Sequence, residues 1–156
     1  MDEQIEGVGK RIEKWLIDEA FQISKVADEN AYFSYKVTKD GGMTLSVLQP
    51  QNKTDSILVV GDISLTDEDQ KKLATIPEKE RRVMLSDLTM DLLTTQCRWQ
   101  FIPPTEAWET IRVLRPIFYD GLSKDRFFET VDIVMRAVLS VIFALQRKFD
   151  ATPYVS

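Results

Sequence analysis

Asp87 and Asp91 lie four residues apart in a segment patterned as a helix, so both carboxylates fall on one face. Such a pair can pass protons or hold a divalent cation, although a solvated acidic face is the ordinary outcome. A denser group, Asp62, Asp67, Glu68 and Asp69, raises the question of calcium. Calcium loops need alternating oxygen ligands and a turning glycine, as in D-x-D-x-D-G, and that pattern is absent. These acids instead mark a helix start, where carboxylates meet the positive end of the dipole. The chain contains no histidine and one cysteine, Cys97. Histidine-based nucleophile pairs, His-ligated zinc and the iron facial triad are therefore excluded, as are thiolate zinc and iron–sulfur sites. Cys97 precedes Arg98 and reads as a small buried hydrophobe rather than a nucleophile. Gly7-Val8-Gly9-Lys10 looks like part of a phosphate loop, but Gln4 stands where the first glycine belongs and Arg11 replaces the metal-binding hydroxyl. Ser86-Asp87 and Ser123-Lys124 read as ordinary helix residues. Trp99, Phe101, Trp108 and Phe118 could line a pocket and more simply form core. We assign no catalytic, cofactor-binding or metal-binding residue, expect no cofactor, and lean against an enzyme.

The elements that would position these residues follow from periodicity. Ile5, Val8, Ile12, Trp15 or Leu16, and Ala20 recur at three and four, which predicts an amphipathic helix over residues 2–20. Residues 21–26 read as a short strand. Residues 32–37 and 43–48 alternate around Lys39-Asp40-Gly41-Gly42, a hairpin signal because glycine supplies the positive φ of tight turns. Residues 56–65 form the most apolar strand and complete an antiparallel meander. Thr66 before Asp67 predicts a capped helix to about residue 74, and Pro77 opens a second over residues 78–95. The main face of that second helix carries Met84, Leu85, Leu88, Leu92 and Leu93. Residues 97–102 and 110–119 read as two further strands, with Pro116 placing the latter at an edge or bulge. Ser123 or Asp125 caps the long last helix. Strands and helices are segregated. The expected fold is α+β, an antiparallel sheet packed against helices in the order α-β-β-β-α-β-β-α, forming a single domain over 1–156. The short strand precedes the meander, and the middle helix is a pair.

Lys and Arg number 20 against 25 Asp and Glu, a net charge of -5, with no long basic run. An acidic chain is poorly suited to the phosphate backbone of nucleic acids, so none is expected as a partner. The charged N-terminal segment does not read as a signal peptide, and the single cysteine fits a reducing compartment, so the expected location is the cytoplasm. The last helix, FFETVDIVMRAVLSVIFALQRKF, is unusually apolar. Asp132 and Arg136 interrupt it, so it does not read as a membrane span. At about 100° per residue its apolar side chains cover an arc of roughly 180°, wider than the ~100° of a one-sided helix. Small residues lie beyond its polar strip. Val83 and Met90 stand one heptad apart, off the main face of the middle helix. We therefore expect a homodimer, with Val83, Met90, Ile133, Ala137, Ser140 and Ala144 as candidate interface residues.

The order of elements resembles the fold of type III secretion chaperones and the related YbjN-like proteins. WLIDEAFQISKVADENAYFSYKVTKDGGMTLSVLQPQ and DSILVVGDISLTDEDQ are similar to a family of conserved archaeal proteins of unknown function. The resemblance implies a small dimeric protein-binding module of the chaperone or adaptor kind, and it supplies no effector-binding residues. The leading expectation is a non-enzymatic dimeric interaction protein. The alternative is a small-molecule-binding or carboxylate-based hydrolytic protein.

Overall fold

In the computed structural model, which describes residues 3–149, the strands form a six-stranded sheet in the order β1-β2-β3-β4-β6-β5. The strands are β1 (Gln22–Lys25), β2 (Ala31–Thr38), β3 (Thr44–Pro50), β4 (Ser56–Ser64), β5 (Arg98–Ile102) and β6 (Thr110–Phe118). Four α-helices accompany them: α1 (Glu3–Asp18), α2 (Asp67–Thr75), α3 (Glu78–Leu92) and α4 (Lys124–Phe149). This is the α+β fold that the sequence predicts. The chain divides into two compact units, Met1–Val60 with Arg115–Asp132 and Gly61–Leu114 with Ile133–Ser156.

In the first unit, α1 buries Ile5, Val8, Gly9, Ile12 and Leu16 along one face. The helix stops at Asp18 because Ala20 turns left-handed, with φ 63°. Its amide donates to Ile17 and that of Phe21 to Leu16, which satisfies the last carbonyls. The hairpin of β2 and β3 turns through Asp40 (φ 52°) and Gly41 (φ 67°). Gly42 donates to Lys39 across the turn, and the hydroxyls of Thr38 and Thr44 meet at 2.9 Å at its mouth. Opposed pairs such as Tyr35 with Val47 and Val37 with Leu45 carry the apolar face of this ladder. Gln49 on β3 is fully buried. Its amide nitrogen donates to the carbonyls of Pro50 and Lys53, and its oxygen accepts from the Tyr119 hydroxyl. Every polar atom of a buried amide is thereby engaged, which avoids the cost of an unmade bond.

In the second unit, Thr66 caps α2 through a 3.1 Å bond from the Asp69 amide. The first-turn acids Asp67, Glu68 and Asp69 lie where the helix dipole favours them. The middle helix is shorter than periodicity suggests: α3 ends at Leu92, and Thr94 and Thr95 close it through hydroxyl bonds to Asp91 and Leu92. Two expectations need correction. Leu93, placed on the main apolar face, is exposed because the helix has ended beneath it. Pro116 does not mark an edge strand, since β6 lies between β4 and β5. Pairing with β5 ends at Leu114, so the proline sits past the last β5 partner and its missing amide removes no bond on that side. Back in the first unit, Ser123, rather than Asp125, caps α4 by accepting from the Arg126 amide at 3.1 Å.

Candidate functional site

In the second unit, α3 and the part of α4 from Ile133 onward offer surfaces of different kinds. On α3 only Leu88 and Leu92 are buried, whereas Val83, Met90 and the following Leu93 are 57%, 63% and 60% exposed. On α4, Leu139 and Phe143 are 43% and 59% exposed. These two stand four residues apart and share a face. Between the helices run two shallow recesses. One, of about 250 Å³, is lined by Thr94, Thr95, Gln96, Ile133, Arg136, Ala137 and Ser140. The other, of about 430 Å³, is lined by Asp87, Met90, Asp91, Ala144, Arg147 and Lys148.

The candidate interface residues fall into two groups. Val83 and Met90 are exposed, Ile133 and Ser140 are half-buried, and Ala137 and Ala144 are buried within the chain itself. The small side chains therefore serve a packing role inside the unit, where the last turns of α4 run beside α3. Lys148 pairs with Asp87 at 3.4 Å and Arg147 with Asp91 at 3.5 Å. The i, i+4 carboxylates that could have formed an acid–base pair are thus each matched with a base from α4. Their partners lie far away in sequence, which no local spacing reveals. Exposed Leu139 and Phe143 are the site residues that the interface reading did not single out. The signal lay in the wheel, where Phe143 falls among the charged residues of the polar strip.

The remaining candidates resolve individually. Asp62 leaves the acidic group and takes both nitrogens of the Arg112 fork, at 2.8 and 3.0 Å. That bond holds the guanidinium even more firmly protonated than usual, against a smaller opposing effect of burial. Cys97 is buried. Gly9 has a packing reason: a Cβ there would stand 3.1 Å from the Tyr35 hydroxyl and 3.3 Å from the Phe33 ring. Burial first, then the charge and hydrogen bond of Glu13, raise the Tyr35 phenol above its ordinary range. Trp108 is fully buried edge-on to Phe101, Trp99 is half-buried, and Phe118 is exposed beneath Lys53, 5.2 Å from its ring. Among the described residues no group of three or more Cys, Asp or Glu could hold a metal ion, and no helix is long and apolar enough to cross a membrane.

The chain shares the fold of YbjN, a candidate transcription regulator from E. coli, with a TM-score of 0.53, 12% identity, and coverage of 94% of this chain and 95% of that one. A crystal structure of an uncharacterized protein from Methanothermobacter thermautotrophicus is more similar, with a TM-score of 0.81 and 31% identity over 90% of this chain and 97% of that one. The chain belongs to the uncharacterized conserved protein family DUF2299, whose model matches residues 8–145. No curated protein matches it.

Proposed function

We propose that this protein is a non-enzymatic, dimeric interaction module of the cytoplasm, chaperone- or adaptor-like, whose α3–α4 surface receives a second copy of the same chain. The observation that carries the reading is the exposure of Val83 and Met90 on α3, Leu93 just past its end, and Leu139 and Phe143 on α4, all in one unit. Burying side chains of this size is worth about 1.5–3 kcal/mol each, and exposed clusters of them mark interaction surfaces. A second copy suits the surface because it carries both signs of charge. The pairs Asp87–Lys148 and Asp91–Arg147 place both signs of charge beside Met90, and a mixed surface can complement itself across a two-fold axis. The net charge of -5 favours protein contacts over a nucleic-acid backbone. If a regulatory role like that ascribed to YbjN exists here, it would run through protein contacts. The test is the solution mass by light scattering. We expect a dimer at about 10 μM that Met90→Glu and Phe143→Glu convert to a folded monomer. A wild-type monomer throughout that range overturns the reading.

A further inference from the structure

A third recess, of about 210 Å³, lies at the other end of α3 and has a different character. Leu73 and Ala74 of α2 and the fully buried Trp108 give it an apolar floor. Gln70, Arg81 and Glu109 supply its polar groups. The Gln70 amide is held by the Leu65 carbonyl at 3.2 Å, and the Glu109 backbone by bonds to Leu65 and Ile102, so two of its walls are fixed. Arg81 is the exception. Its Nε is buried and has no hydrogen-bond partner among the described residues. An unpaired buried donor costs the full desolvation of that group, and such groups in folded proteins call for an explanation. The guanidinium also forms no ion pair with any described residue, in contrast to Arg82 one position on, which takes Glu78 at 2.6 Å. A charged fork beside an apolar floor is matched by a carboxylate joined to a small hydrocarbon body.

We infer that this recess binds a small apolar carboxylate, with the carboxylate on the Arg81 fork and the hydrocarbon over Trp108, Leu73 and Ala74. The assignment goes beyond the dimeric reading and does not depend on it. Glu109 at the rim distinguishes two sources of the same chemistry: it repels a simple acid and attracts the ammonium group of an amino acid.

The test follows the Trp108 indole resonance by NMR during titration of the full chain. Three probes are used: 3-methylbutanoate, its neutral amide, and L-leucine. We expect saturable, fast-exchange shifts with one or both carboxylates, at least about tenfold weaker binding of the amide, and loss of the response in Arg81→Gln. Tighter binding of L-leucine that Glu109→Gln abolishes identifies the amino acid as the source. Tighter binding of 3-methylbutanoate that Glu109→Gln strengthens identifies the simple acid. Arg81→Lys keeps the charge without the fork and separates loss of recognition from loss of fold, because it should bind weakly while its spectrum stays native. Equal binding of the amide and the acid, retention of binding in Arg81→Gln, or no movement of Trp108 with any probe overturns the inference.

Discussion

Helices α1 and α3 are nearly equal in length, 16 and 15 residues, yet they leave opposite amounts unsettled. The apolar residues of α1 are almost wholly covered, with Ile5, Val8, Ile12 and Leu16 buried and Ile17 the one large exception. The apolar residues of α3 are split, with Leu88 and Leu92 inside and Val83 and Met90 outside. The buried polar groups repeat the contrast. Gln49 in the first unit has all its bonding capacity used, whereas Arg81 in the second has a buried donor with no partner among the described residues. The first unit also exposes Ile17, Val26, Tyr32 and Phe118, so the difference lies in α3 itself, which combines exposed Val83 and Met90 with the unpartnered Arg81 donor.

The contrast can be broken most forcefully by paired truncations. Ile12→Ala should cost about 2–5 kcal/mol in denaturant unfolding, because it empties a filled site. Met90→Ala, measured at a concentration where the chain is monomeric, should change stability by no more than about 0.5 kcal/mol. Comparable losses at the two positions would erase the distinction. The polar pair gives a smaller effect of the same kind. Gln49→Leu removes the bond from the Tyr119 hydroxyl and the donors to two carbonyls and should cost about 1–3 kcal/mol, whereas Arg81→Met removes a donor already without a bond and should cost less.

Within α1 the two glycines sharpen what complete packing means. Gly7 has open space where a Cβ would go, so Gly7→Ala should raise stability by roughly 0.5–1 kcal/mol through helix propensity. Gly9→Ala must push against the Tyr35 hydroxyl and the Phe33 ring, so it should yield no such gain. Thermal unfolding of the two variants checks the difference in sign. The smallest effect lies just beyond the end of α1. The Glu19 carboxylate accepts from Lys124 at 2.9 Å, and that bond and charge hold its pKa below the ordinary value. A depressed folded-state pKa contributes stability above the unfolded pKa that is lost as pH falls through the folded one. NMR titration of Glu19 should therefore show an acid-shifted midpoint that Lys124→Met returns toward the ordinary value.

Local chemistry made most of the fold legible. Period three-and-four patterning marks α1, alternation around Asp40-Gly41 marks the hairpin, and Thr66 marks the start of α2. Boundaries drifted where a helix end depends on hydroxyls, as at Thr94 and Thr95, and Leu93 changed sides with the boundary. Pro116 misled because a strand can be internal to a sheet and still outrun one of its neighbours. The site was less legible, for a physical reason. Asp62 meets Arg112 across 50 positions, Asp87 meets Lys148 across 61 and Gln49 meets Tyr119 across 70. Spacing along the chain carries no trace of such pairs. The same holds for Arg81, whose distinction is a bond that it lacks once α2, α3 and the segment before β6 surround it.

The central claim is that α3 and α4 meet a second copy of the chain through Met90 and Phe143. Isotope-filtered NOE spectroscopy tests it most directly, on a co-refolded mixture of methionine-methyl-labelled and unlabelled protein. The account predicts intermolecular NOEs from the exposed Met90 methyl to side chains of the unlabelled copy, among them the Phe143 ring, and none from Met43 on the first unit. A Met90 methyl with no intermolecular NOE, in a sample whose mass by light scattering is that of the single 18.0 kDa chain, would contradict it.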